Sequence, residues 1–273
     1  MENLEIYKKI GRDFIDKLKL LTYPVAIRLV PPDEEVTSNA LRPREVFGSE
    51  VPACLTYTWC RRSGFSFYLT GKDIACKPAS ILYFGLEESK SSDDVFVAWA
   101  KKAGYKKDIE AEKKSRETDA VLNPGEIQGI IVSPLNLTVA EPHLVLIFCS
   151  PLILSHLILA ATYDGEYITS TFNGMEASCK EGIVRTYKTN QCQVICPGMG
   201  DRVLGGVQND EMLFSIPKSK FKLILDNLFK AGSKLPTRAF GIPHLNASLG
   251  PISIYGQPVE APVWPFLRKR IKK

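Results

Sequence analysis

The stretch EPHLVLIFCSPLIL, residues 141–154, decides the fold prediction because a second stretch of the chain is built in the same order. That second stretch is YPVAIRLVPPDEEV, residues 23–36. In each, a proline precedes an apolar run of strand length, and another proline ends the run, as turn-forming prolines do. We therefore compare the two regions as copies of one unit.

The similarity continues along the chain. After its first strand, the sequence of each copy predicts a helix that ends near a glycine, followed by an aromatic strand. A Cys-Lys step comes next. After a variable linker, each copy ends with an apolar strand that is followed by a proline. The matching segments are ACLTYTWCRRSGFSFYLT (53–70) with LSHLILAATYDGEYITST (154–171), GKDIACKPASI (71–81) with NGMEASCKEGI (173–183), and GEIQGIIVSPLNL (125–137) with DEMLFSIPKSKF (210–221).

Strands that alternate with helices predict an α+β fold with α/β-like layers, in which duplicated strand-helix-strand units surround a mixed sheet. Chance agreement between two stretches of this kind is the alternative to duplication. The predicted parts form one compact domain. They are an amphipathic helix over 1–19, a first repeat half over 20–137, a second repeat half over 138–232, and an extended tail over 233–273 that is rich in Pro and Gly and has a basic end.

The run HLVLIFCSPLILSHLILAATY, residues 143–163, raises a membrane alternative because its 21 residues include no acid, lysine or arginine. As one helix it would be about 31 Å long, enough to cross a bilayer. Pro151 interrupts the run, and the residues before it have β-branched or aromatic character. We therefore predict a buried strand over 143–149 and a buried helix over 152–162, and no membrane span.

Charge and the N-terminal sequence limit the partners and the compartment. The formal net charge is +5, and the last six residues, RKRIKK, carry five positive charges, so the rest of the chain is neutral (5 − 5 = 0). No nucleic-acid-binding module is recognisable, and we expect no nucleic-acid partner. The first residues form no signal peptide, which predicts a cytoplasmic protein whose seven cysteines are not a disulfide framework.

The cysteines are the main candidates for chemistry. A duplicated fold brings equivalent positions toward a pseudo-twofold axis, so Cys76 and Cys179 are expected to approach each other. Cys54 and either Cys192 or Cys196 would complete four thiolates, a set that suits an iron–sulfur cluster or zinc. Catalytic or redox thiols without metal, and inert buried thiols, are the alternatives. Cys60 is a further candidate thiol.

The segment CPGMGDRVLGG, residues 196–206, is the second candidate site. Gly198 and Gly200 permit close approach of a ligand to the backbone, and Arg202 offers two parallel donors to a carboxylate or phosphate. The segment matches neither the P-loop nor the dinucleotide-binding fingerprint. A small-anion-binding loop is therefore the functional interpretation, and a turn that enters a short helix is the structural one.

These motifs resemble the prokaryotic family known as domain of unknown function 169, or uncharacterised ArCR. The resemblance covers roughly residues 10–232. The family has no agreed activity, but the resemblance implies that Cys54, Cys76, Cys179 and Cys196 are its cysteines and that Cys60 and Cys192 are additions. It rests on Cys54 with Arg62 and Gly64, on TGKDIACKPASILYFGL (70–86) and FNGMEASC (172–179), and on CPGMGDR (196–202) with DEMLFSIP (210–217).

The expected function is a cytoplasmic protein that binds one iron–sulfur cluster, with 4Fe-4S as the type considered. The expected ligands are Cys54, Cys76, Cys179 and Cys196, and the expected role is electron transfer or redox chemistry with an unidentified redox partner. Two alternatives stay open. One is an anion- or small-molecule-binding module or transferase that uses Gly198, Gly200 and Arg202 without metal, and the other is a structural zinc protein.

Overall fold

The computed structural model describes residues 2–36, 39–87, 92–228 and 230–231. Residues 1–231 form one compact unit. The predicted tail over 233–273 lies outside the described residues. The strands are β1 (Val25–Val30), β2 (Phe67–Leu69), β3 (Gly129–Pro134), β4 (Leu144–Cys149), β5 (Gln193–Ile195) and β6 (Met212–Pro217).

Helices of three kinds surround these strands. Short 3₁₀ turns occupy Gly71–Asp73, Leu135–Leu137 and Lys218–Lys220, and two π-helices are named π1 (Pro78–Tyr83) and π2 (Ser178–Arg185). The α-helices are α1 (Glu2–Leu18), α2 (Pro43–Phe47), α3 (Ala53–Ser63), α4 (Ser92–Ala103), α5 (Ile109–Arg116), α6 (Pro151–Ala161), α7 (Thr186–Thr189), α8 (Met199–Val203) and α9 (Phe221–Asn227).

The strands form a six-stranded sheet in the order β2-β3-β1-β4-β6-β5. Every pairing between these named strands is antiparallel. The α+β class is thus confirmed, and the prediction of a mixed sheet is wrong. The physical reason is burial: β3 and β4 are buried along their whole lengths, and a strand covered on both faces has a continuous apolar sequence in either direction of pairing.

One face of the sheet packs against α3 and the two π-helices. Ile27 and Leu146 from the central strands join Tyr57 of α3 and Ile183 of π2 in one buried apolar cluster. Alternate strand residues such as Phe214 point to the opposite face. There α6 contacts β4 and β6 and packs on α9, which also contacts α1. The functional side chains described below belong to the first layer.

The uncharged run over 143–163 folds as its sequence predicts. A strand occupies Leu144–Cys149, and a helix occupies Pro151–Ala161. The turn between them works as a helix N-cap, because the Ser150 hydroxyl accepts a hydrogen bond from the Ile153 amide at 3.4 Å and Pro151 takes the first helical position. Among the described residues, no helix is both long enough and apolar enough to cross a bilayer.

The two predicted halves contribute three strands each. Read outward from the central pair β1 and β4, the first half places its strands in the order β1-β3-β2 and the second in the order β4-β6-β5. The order of elements along the chain differs between the halves. β2 and β5 are the corresponding outermost strands, but π1 follows β2 whereas π2 precedes β5. A further difference is that residues 167–171, expected as an aromatic strand, have no regular structure. The duplication itself stays a prediction.

Candidate functional site

The two Cys-Lys steps lie at the beginnings of the two π-helices, which contact each other. The steps are not strictly equivalent: Cys76 lies two residues before the first residue of π1, whereas Cys179 is the second residue of π2. π-Helical turns are rare and occur frequently at functional sites. Two of them in contact, each with a cysteine within two residues of its first residue, mark this region of the fold as the candidate site.

Three cysteines from different elements line one cavity of about 50 Å³, which we call the thiol cavity. Cys54 comes from the first turn of α3, Cys76 from the residue pair before π1, and Cys179 from π2. Two carboxylates and two aromatic rings share the cavity with them. The other lining residues are Pro52, Ala53, Ala79, Trp99, Tyr105, Glu176, Gly200, Asp201 and Leu204.

A close approach between α3 and α8 places Cys54 in this cavity. The Cys54 Sγ atom lies 3.8 Å from the Gly200 carbonyl oxygen. Gly205 makes the approach possible, because a Cβ atom there would lie 2.9 Å from the Cys54 Cβ atom and 2.5 Å from the Asp201 carbonyl oxygen. Within residues 196–206, Gly205 is therefore the glycine that admits the neighbouring helix α3.

Asp201 fastens α8 to π2. Its buried carboxylate accepts hydrogen bonds from the Gly198 amide at 3.0 Å and the Ser178 amide at 3.2 Å, and also from the Ser178 hydroxyl. Because Ser178 immediately precedes Cys179, these bonds fix the position of that thiol relative to Gly200. On its other side, the Cys179 sulfur lies 3.7 Å from the Tyr57 hydroxyl oxygen.

Glu176 is held in the cavity wall by an unusual backbone conformation. Its φ angle is +38°, in the left-handed region that residues other than glycine rarely adopt. The carboxylate accepts a hydrogen bond from Trp99 Nε1 at 2.8 Å and lies 3.5 Å from Arg116 Nη2. Strained residues of this kind cluster at functional sites, where the surrounding structure maintains them.

The environment of the cavity raises the pKa of its acidic groups. Burial, followed by repulsion from Asp201, raises the pKa of Cys54 and Cys179. The pKa of Cys76 is also raised, mainly by burial, although the Ala79 amide opposes the shift. Burial likewise raises the pKa of both carboxylates, Glu176 and Asp201. Three thiols and two carboxylates therefore share a small volume in which each disfavours the negative charge of the others.

A buried network of charges lies behind Glu176. Arg116 pairs with Glu112, Asp119 and Glu176, and the Lys180 ammonium pairs with Asp119. The Arg116 guanidinium carbon also lies 5.9 Å from the centre of the Tyr83 ring. The sequence predicts a helical and solvated linker over 91–121. Helices α4 and α5 lie in this linker, yet Glu112 is 2% exposed. Mutual pairing of the charges explains why these residues are buried.

The fourth predicted ligand is not in the thiol cavity. Cys196 is exposed and lines a separate cavity of about 300 Å³ with Asn173, Glu181 and Met199. Cys60 and Cys192 are buried and line neither cavity. Burial raises the pKa of Cys60 well above the usual range and that of Cys192 to about 12.

The predicted anion-binding groups have partners within the chain. Arg202 donates hydrogen bonds to the carbonyl oxygens of Gln208 and Glu211, and the Gly198 amide donates to Asp201. Gly200 lines the thiol cavity instead of an anion cradle. Anion binding at this loop stays a prediction. The sequence analysis missed three residues of the candidate site, which are Asp201, Glu176 and Trp99. Two of them stand inside motifs already noted for their cysteines, CPGMGDR and FNGMEASC.

Within the part of the chain that the structure describes, no group of three or more His, Cys, Asp and Glu side chains is arranged to hold a metal ion. The thiol cavity is therefore a place where thiols converge, and its sulfurs do not form a ready coordination sphere. All seven cysteines are free thiols.

Comparisons with known proteins agree on an uncharacterised group. The family model described as Uncharacterised ArCR, a domain of unknown function, matches residues 13–227. An uncharacterized protein of Methanocaldococcus jannaschii is 24% identical over 216 residues, which cover 77% of this chain and 88% of that protein. No solved structure matches the chain significantly.

Proposed function

The chain belongs to the Uncharacterised ArCR family, and we propose that it binds an iron–sulfur cluster through Cys54, Cys76 and Cys179 and has a redox or electron-transfer role. One observation carries the proposal: three thiols that are far apart in sequence line the same cavity of about 50 Å³. Buried cysteines that act only as small apolar residues have no reason to gather around a cavity that also holds two carboxylates.

The donor atoms support a soft metal centre. Thiolates select zinc, copper(I) and iron–sulfur clusters, whereas magnesium and calcium prefer oxygen ligands. The cavity also offers apolar and aromatic walls, among them Ala79, Leu204 and Trp99. Such walls limit access of water, one of the factors that set the reduction potential of a cluster.

The electrostatics of the cavity make cluster binding depend on pH, because the raised pKa values of the thiols oppose binding at neutral pH. Without a cation, the repulsion between Cys54, Cys179 and Asp201 raises the pKa of both thiols beyond the effect of burial. A bound cluster supplies positive iron where the thiolates converge, so that repulsion becomes attraction and the thiols release their protons. Binding is therefore expected to strengthen as the pH rises.

The number of thiols distinguishes this proposal from the four-cysteine set that the sequence predicts. Cys196 lies in the other cavity, so a 4Fe-4S cluster here would have one iron without a cysteine ligand. Glu176 and Asp201 line the thiol cavity, and their carboxylates are the available donors for that iron. Each carboxylate already accepts hydrogen bonds within the chain, Asp201 from Ser178 and Gly198 and Glu176 from Tyr83, Trp99 and Arg116, so either would have to exchange a partner for iron.

Serine substitutions test the ligand assignment. After anaerobic reconstitution, we expect C54S, C76S and C179S each to bind less than about a third of the iron and sulfide of the unchanged protein, because serine is a poor ligand for iron–sulfur clusters. C196S is the matched control, since its thiol is exposed and outside the cavity. Full retention by the three cavity variants, or loss in C196S alone, would contradict the assignment.

The compartment is part of the same proposal. Free thiols persist where glutathione and thioredoxin keep the medium reducing, so we place the protein in the cytoplasm. All seven cysteines are unpaired in the structure. Cell fractionation followed by immunodetection checks this placement, and recovery of the protein from an oxidising compartment would contradict it.

A further inference from the structure

One wall of the thiol cavity is attached differently from the others. Trp99 and Tyr105, which line the cavity, belong to α4 and to the segment that follows it. The principal packing partners of α4 are π1 and α5. By contrast, α3 and π2 insert Tyr57 and Ile183 into the apolar cluster on the sheet, and Asp201 ties α8 to π2.

Side-chain hydrogen bonds close the α4 wall over the cavity. Trp99 Nε1 donates to Glu176 Oε1 at 2.8 Å, and Lys106 Nζ donates to the Asn173 carbonyl oxygen at 3.1 Å. Both acceptors belong to one tight turn, in which Gly174 and Glu176 have positive φ angles. A single hydrogen bond contributes only about 1 kcal/mol, far less than the buried packing that holds the other walls.

We infer that α4 is a lid on the thiol cavity and that Trp99 and Glu176 form its latch. Opening the lid exposes the buried Cys179 and increases the exposure of Cys54 and Cys76, which are already partly exposed. The sheet is not disturbed, because α4 contributes no strand and its principal packing partners lie outside the sheet. The local opening of an element that lies outside the sheet is a route to the buried side of such a cavity. That the entering species is a cluster rests on the proposed function, whereas the lid itself does not.

Thiol labelling of the protein without metal tests the latch. Iodoacetamide is added, and the modification rate of each cysteine is followed by mass spectrometry. Exposed Cys196 serves as the internal standard. In W99F and E176A, the three cavity thiols should react about three- to tenfold faster relative to Cys196, because losing a hydrogen bond of about 1 kcal/mol shifts an opening equilibrium by that factor.

W59F is the matched control, because Trp59 lies on α3 against Phe47 and Phe67 and outside the cavity. Its cavity thiols should react at the rate of the unchanged protein. The double variant W99F/E176A should react no faster than E176A, since E176A already removes the bond to Trp99 together with the contacts of Glu176 to Tyr83 and Arg116. Equal rates in W99F and the unchanged protein, a rise in W59F, or additive rises in the double variant would each overturn the lid.

Labelling uses only the thiols of the empty protein, so its result is independent of whether iron binds. If the cluster proposal fails and W99F still labels faster, the lid covers a thiol cavity with another occupant. If the cluster binds and labelling is unchanged in W99F, the occupant enters by another route, and the inference about the lid is wrong.

Discussion

At the scale of single residues, Asp201 does more for the candidate site than any one cysteine. Its carboxylate is buried and accepts hydrogen bonds from the Gly198 amide, the Ser178 amide and the Ser178 hydroxyl. These contacts join two segments that each contribute to the thiol cavity. Asp201 therefore acts as a structural brace for the cavity, and its removal leaves buried donors without acceptors.

This brace makes a stability prediction. D201A should lower the free energy of unfolding in urea by about 1–3 kcal/mol, because two buried backbone N–H groups lose their acceptor. D201N keeps one side-chain oxygen and should lose less. D210A is the control, since Asp210 is exposed. Equal stability of D201A and the control would contradict the role given to Asp201.

The residue scale also shows what sequence could and could not predict. Three of the four predicted ligands, Cys54, Cys76 and Cys179, line one cavity. The fourth, Cys196, is preferred to Cys192 only because of the resemblance to the family. The chain turns at this point, so Gly198 lines one cavity and Gly200 the other. Spacing along a sequence carries no information about which side of such a turn a thiol faces.

At the scale of elements, the apolar strands were predictable and the segments around the Cys-Lys steps were not. β4 and α6 follow from length, Pro151 and the serine cap. The π-helices have no sequence signature comparable to the periodicity of strands or α-helices, since they form where tertiary contacts favour a wider turn. The direction of strand pairing could not be predicted from the sequence either, because β3 and β4 are buried on both faces.

His143 joins the two halves of the sheet and makes the fold sensitive to pH. Its Nδ1 atom accepts a hydrogen bond from the Leu29 amide at 3.1 Å, and its own amide donates to the Ile27 carbonyl oxygen at 2.8 Å. Burial, with smaller contributions from Arg28 and Lys218, lowers the pKa of this imidazole from 6.5 to about 4. Glu141 and Glu34 oppose that shift.

The direction of the pH effect follows from proton binding. Below pH 6.5 the unfolded chain protonates His143, whereas the folded protein keeps it neutral until about pH 4, so stability is lost as the pH falls through this window. Solvent screening reduces the effect to about 1–2 kcal/mol. Urea unfolding from pH 7 to pH 4 should therefore show a smaller loss of stability in H143Q than in the unchanged protein. Parallel losses would contradict the assignment.

At the scale of the whole molecule, the antiparallel sheet supports one layer that contains the candidate site. The strand order is the same in both halves when read outward from β1 and β4. The π-helices lie on one face of this frame, in contact with each other, and α8 and α3 complete the thiol cavity beside them. A search for repeats thus located the region of the site, although the positions of the two Cys-Lys steps are not equivalent.

The most direct test of the cluster proposal is the iron and acid-labile sulfide content of the unchanged protein, purified without oxygen, together with its visible absorption. We expect a brown protein with iron and sulfide in about equal amounts and a broad absorption that fades on reduction, as iron–sulfur clusters show. A colourless protein without iron or sulfide, also after anaerobic reconstitution, would contradict the proposal, and so would a protein that binds zinc alone.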